Sequence, residues 1–297
     1  MRRIDIKFYK HLFSGFYSYV SVNIIVLFIT IIINFLIPKY LSISDFGYYR
    51  KLMVLFSFSG VFSFGIIDYV YCKFSEYSSN LGLEDFKHNF QLLLTLSISL
   101  FFIGLLSAYY FFDVFILFLL IIFSNLYSLI EVFYNSKKLF KKINSIRLKR
   151  VLLYSLFLLL SYIFNFNTFN LLLSLCLSYL FILIFESKDL GLFESYRVSS
   201  FSFNTEFRKI KFGLIILLGN LISIFNSNID KIFLSIRLNN DQFGIYIFPN
   251  IFFIIFKEFV QSLKSFLFPN INSNDYKFKV NFYTKISYTL MFFFCLV

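Results

Sequence analysis

The sequence predicts an all-α integral membrane protein: a polytopic helical bundle with one six-helix lobe, followed by the first three helices of a second lobe in parallel repeat. Three observations carry this expectation. The chain is far more apolar than a water-exposed surface allows. Its apolar residues fall into segments of membrane-spanning length, with most basic residues on alternate connections. A motif near the first segment recurs 197 residues later.

Hydrophobic residues make up 59% of the 297 residues and charged residues 15%, with a mean hydropathy of +0.76. Soluble domains are typically ~45–50% apolar and ~25% charged, so the surplus must face lipid. The three cysteines, Cys72, Cys176 and Cys295, show no paired spacing and predict neither a disulfide framework nor a metal site.

Crossing the hydrocarbon layer takes about 20 residues of helix. Nine segments qualify or nearly qualify: 16–37, 51–71, 90–110, 114–134, 151–166, 169–185, 212–236, 243–268 and 282–297. The first follows Arg2, Arg3, Lys7 and Lys10 but is too long for a secretory h-region and is read as a retained helix. The fifth is short. The ninth runs to Val297, so the chain is read as C-terminally truncated. These segments divide the chain into a six-helix lobe over 1–186, a linker over 187–211 and a partial second lobe over 212–297.

Orientation follows from Lys and Arg in the connections. One side carries 21 of them, seven within 137–150, and the other side 5. The N-terminus is therefore expected in the cytoplasm. The net charge of +12 is topogenic and not a nucleic-acid footprint, which would be a patch on a soluble face.

Residues 23–49 align without gaps on 220–246, with Asn23/Asn220, Phe28/Phe225, Leu41/Leu238, Phe46/Phe243, Gly47/Gly244 and Tyr49/Tyr246 identical. Both windows end in F-G-x-Y at the start of a helix. The offset covers six predicted helices, an even number, so the copies share one orientation, as in parallel-repeat transporters. Gly47 and Gly244 are read as tight-turn glycines. The matched asparagines Asn23 and Asn220 are read as bridges between helices.

The run Pro38 to Tyr49 (PKYLSISDFGYY), Gly60 to Asp68 (GVFSFGIID), and Asn228 to Ser235 followed by Phe243 to Tyr246 resemble motifs of the Wzx-type polysaccharide flippases, of the multidrug/oligosaccharidyl-lipid/polysaccharide exporter superfamily. The resemblance implies two six-helix lobes that flip a polyprenyl-diphosphate-linked oligosaccharide across a bacterial cytoplasmic membrane by alternating access. No cofactor, metal or catalytic residue is then expected. Partners would be the lipid-linked substrate, membrane lipids, a polysaccharide polymerase and a chain-length regulator, with no nucleic acid. Other exporters of the superfamily, for drugs or cations, and a membrane-embedded polymerase or ligase are alternatives. The short external connections expected here speak against the last.

An ionisable group at membrane depth costs at least ~2.5–3.5 kcal/mol and therefore faces a cavity or a partner. By their place on helices that line the inter-lobe space in the resembling family, Arg50 and Lys257 are expected to contact the diphosphate headgroup, with Lys231 beside them. Arginine forks and lysine point charges both suit phosphate. Asp230, Glu258 and Asp68 are the candidates for ion coupling or charge pairing, and Glu131 lies near the cytoplasmic end of its segment.

Overall fold

The computed structural model describes residues 6–72, 82–109, 111–137, 139–192 and 203–250. Among these the chain is nearly all helix, with no strand: α1 (Ile6–Tyr40), α2 (Ile43–Phe56), α3 (Ile66–Cys72), α4 (Gly82–Ala108), α5 (Phe112–Ser136), α6 (Phe140–Phe164), α7 (Thr168–Asp189), α8 (Phe203–Arg237) and α9 (Asn240–Ile247). A short 3-10 turn, Ser59–Ser63, lies between α2 and α3. Five helical stretches are long and apolar enough to cross a membrane: Val22–Tyr40, Leu83–Ala108, Phe112–Ser136, Thr168–Asp189 and Arg208–Arg237. The bent pair of Ile43–Ser63 and Ile66–Cys72 would make a sixth. The chain thus has a multi-pass helical membrane architecture. Its outer surface agrees, since Leu106, Ile163, Ile222 and Ile236 are all more than 70% exposed. Polar side chains such as Asn89, Asn125, Asn135 and Asn144 are buried inside, the reverse of a water-soluble protein.

The helices α1 to α7 pack around α5, which carries the longest run of buried positions and contacts α4, α6 and α7. The aromatic-rich core is closed by pairs such as Phe86 with Phe133, stacked at 4.1 Å, and Tyr127 with Tyr179, edge to face at 5.2 Å. The fifth predicted segment, 151–166, is not an independent short span. It is the C-terminal part of α6, whose helix begins at Phe140 and runs through the basic cluster.

The second predicted span differs most. A single straight helix over 51–71 is replaced by α2, the 3-10 turn and α3, bent by 66°. The break has a backbone cause. Phe64 (φ 50) and Gly65 (φ 77) adopt left-handed conformations, which a right-handed helix cannot pass through. The helix also starts earlier than expected. Only Leu41 and Ser42 separate α1 from α2, and the Ser42 hydroxyl caps α2 by accepting from the Asp45 amide at 3.0 Å. Of the eighth predicted span only the first residues, through 250, are described, within and just after α9; the rest of it and the ninth span lie outside the described residues.

The 197-residue register recurs in the helix boundaries themselves. Ile6 and Phe203 open helices of 35 residues that end at Tyr40 and Arg237. Ile43 and Asn240 open the next helices. The caps correspond too: Asn239 accepts from the Gln242 amide at 2.8 Å, as Ser42 does from Asp45.

Candidate functional site

The α1–α2 and α8–α9 pairs meet where α2 crosses α9, and the crossing is made by the repeat-matched glycines. A methyl group on Gly47 would lie 1.8 Å from the Asn240 carbonyl oxygen; one on Gly244 would lie 2.7 Å from the Ile43 carbonyl oxygen. Asn240 is the 197-residue counterpart of Ile43, and Gly244 that of Gly47, so the two contacts are reciprocal, as across a local two-fold axis. The tight-turn reading of these glycines is corrected here. Both lie inside helices, neither has positive φ, and their missing side chains let two backbones touch. The preceding phenylalanines, Phe46 and Phe243, are buried beside the crossing.

One side chain reaches across it. The Lys51 ammonium donates to the Leu238 carbonyl at 2.8 Å, just beyond the end of α8, and lies 5.8 Å from the Phe243 ring centre. A cation on a helix C-terminus satisfies an orphan carbonyl and the negative end of the helix dipole. Lys51→Met is expected to lower the stability of the purified protein by about 1.5–3 kcal/mol, read from thermal melting in detergent, and Lys51→Arg to retain most of it.

A second junction joins α3 to α8. Gly65 and Gly213 approach so closely that a methyl on Gly213 would fall 2.0 Å from the Gly65 carbonyl oxygen. Nearby, the Asn220 side-chain amide donates to the Asp68 carboxylate at 2.7 Å. Two residues singled out for different reasons, one as a charge and one as a repeat match, are therefore partners. Asp230 accepts from the Tyr246 hydroxyl at 2.7 Å and ties α9 to α8, and the Lys231 ammonium reaches the Asn228 side-chain oxygen at 3.3 Å.

Arg50 is placed differently from the expectation. It does not open onto the α2–α9 side. It is buried and donates to the Asn34 side-chain oxygen of α1 at 2.9 Å, with its guanidinium 5.1 Å from the Phe46 ring centre and Tyr154 of α6 close by. Among the described residues none of its partners is a carboxylate. Further polar contacts run through the interior of α1 to α7. Arg147 pairs with Glu131 and donates to Asn23 at 3.2 Å, so Asn23 bridges α1 to α6. Arg150 donates to the Tyr179 hydroxyl at 2.9 Å and lies over the rings of Tyr127 and Tyr179. Tyr134 donates to the buried Glu186 at 2.7 Å. Lys257 and Glu258 lie outside the described residues.

Sequence reasoning placed Lys51 with Arg50 at the start of the second span but gave it no partner, and it had no role for Gly213 or Asn34; the partners of the three are 187, 148 and 16 residues away. Only the F-G-x-Y repeat hinted that α2 and α9 are equivalent. Searches of known protein families, curated proteins and solved structures find nothing that matches this chain.

Proposed function

We propose that the chain is a secondary-type flippase for polyprenyl-diphosphate-linked oligosaccharides, working by alternating access between two parallel-repeat lobes in a bacterial cytoplasmic membrane. One observation supports the two-lobe reading above others: repeat-equivalent helix pairs meet reciprocally at Gly47 and Gly244. In this reading α1 to α7 form the first lobe and α8 begins the second. Because the closest contact is backbone on backbone, opening this gate requires release of the Lys51–Leu238 hydrogen bond but no rearrangement of interlocked side chains at the two glycines. The excess of basic residues on the opposite connections puts the N-terminus in the cytoplasm and the crossing at the external side. The crossing then closes the outer end of the inter-lobe path.

The substrate class rests on the resemblance of the P-x-x-L-S-x-x-D-F-G-x-Y run. Headgroup contact falls to Lys231 and Lys257, while Asp68, Asp230 and Glu258 are the groups able to couple an ion. Arg50 is enclosed by α1, α2 and α6, so in this reading it positions α2 and the expected headgroup role passes to the lysines.

Complementation tests this. Expressed in cells lacking their own O-unit flippase, the chain is expected to restore surface polysaccharide, and Lys231→Ala to reduce it. Failure to restore, with membrane insertion verified and several O-unit types tried, would overturn the polysaccharide assignment, and drug-efflux assays would then separate the other exporter class.

A further inference from the structure

The basic cluster at the start of α6 is divided between the protein interior and the lipid face. Arg147 and Arg150 turn inward to Glu131 and Tyr179. The Lys142 ammonium lies over the Tyr134 ring of α5. Lys149 does otherwise. It is exposed, has no hydrogen-bond or ion-pair partner among the described residues, and stands at one end of a groove of about 300 Å³ between α6 and α7. The rest of the groove is apolar: Leu152, Leu153 and Leu156 from α6, Ile182 and Phe185 from α7. Leu152, Leu156 and Phe185 are each at least 50% exposed, so the groove opens outward to the lipid.

The order of these residues matters. Lys149, Leu152 and Leu156 follow one face of α6 for about 10 Å at 1.5 Å per residue. On α7, Phe185 is followed one turn later by the exposed Lys188, with Asp189 beside it. Cationic groups therefore sit at the end where the basic cluster meets the headgroup layer, and hydrocarbon walls lie deeper. A free phosphate would gain nothing from the walls, and a neutral lipid nothing from the lysines.

We infer that this groove is a binding site for an anionic phospholipid, with one acyl chain between α6 and α7 and its phosphate on Lys149, supported by Lys188. It lies on the lipid-facing side of α6 and α7, apart from the α2–α9 crossing, and does not depend on what the chain transports.

The test is native mass spectrometry of the full chain released from nanodiscs of equal phosphatidylglycerol and phosphatidylethanolamine. Retained lipid is expected to be enriched in phosphatidylglycerol. Lys149→Gln is expected to cut that enrichment about fivefold, the equivalent of ~1 kcal/mol for one basic residue at an anionic surface. Lys141→Gln, an exposed lysine of the same cluster outside the groove, should leave it unchanged. Leu153→Trp should fill the groove and reduce retention of both lipids. Retention in the bulk ratio by the unaltered chain, or equal losses in Lys149→Gln and Lys141→Gln, would overturn the site and leave only a diffuse surface attraction.

Discussion

Replacing Gly47 by alanine is expected to force α2 and α9 apart. The added methyl would overlap the Asn240 carbonyl oxygen at 1.8 Å, and that atom belongs to helix backbone, which cannot swing aside as a side chain can. Overpacking of this kind costs ~1–3 kcal/mol, so the closed crossing should lose about fivefold or more of its population. Gly244→Ala is expected to act in the same direction through its reciprocal contact with Ile43, though less strongly, since its overlap at 2.7 Å is smaller. Two controls make the effect specific. Gly60 and Gly219 have nothing within 4 Å of an added methyl. Gly219→Ala, inside α8, should if anything stabilise its helix by ~1 kcal/mol. The measurement is the yield of a short bismaleimide cross-link between Ile43→Cys and Asn240→Cys in a cysteine-free background. The yield should fall with Gly47→Ala or Gly244→Ala and hold with Gly219→Ala.

Breaking the Arg147–Glu131 pair is the second large effect. Both side chains are less than 20% exposed. Arg147 also holds Asn23 of α1. Removing one partner leaves the other charge uncompensated at the edge of the membrane core, which costs about 3 kcal/mol. Glu131→Gln and Arg147→Met should each lower the melting temperature in detergent. Combined replacement of both by methionine should recover most of the loss, because paired charges add little over well-packed apolar residues once neither is left alone. An equal or larger loss in the double variant would show that Arg147 acts through Asn23 and not through Glu131.

Much of the fold was legible because lipid imposes length and composition on every crossing segment. The segments at 114–134 and 169–185 became α5 and α7 with ends moved by at most four residues, and 90–110 became α4, which begins eight residues earlier. The broken second span was harder to see. Apolar residues dominate on both sides of Phe64 and Gly65, and their φ angles turn the chain. The glycine crossing was half legible. Shared F-G-x-Y marked Gly47 and Gly244 as equivalent, but a glycine at a helix start reads equally as a turn, and the decisive neighbours, Asn240 and Ile43, are far away in the sequence. Arg50 and Lys51 show the same limit at side-chain scale. Adjacent helical residues point about 100° apart, so one of them had to face α9. Pattern alone favoured the arginine for phosphate chemistry, whereas packing turned Arg50 toward Asn34 and sent Lys51 across to Leu238. The basic cluster at 137–150 gave an orientation from its count alone. Its division into Arg147 and Arg150 inward and Lys149 outward follows from where α5 and α7 sit against α6.

If the α2–α9 crossing opens and closes as a lipid-linked oligosaccharide crosses the membrane, as proposed above, a tether across it must stop transfer. The most direct measurement tethers that crossing with a cleavable cross-linker between Ile43→Cys and Asn240→Cys. Transfer of a fluorescent polyprenyl-diphosphate oligosaccharide between the leaflets of proteoliposomes is then followed before and after cleavage. Transfer is expected to stop while the tether holds and to resume once it is cut. Transfer at the same rate in both states would contradict the proposed gating.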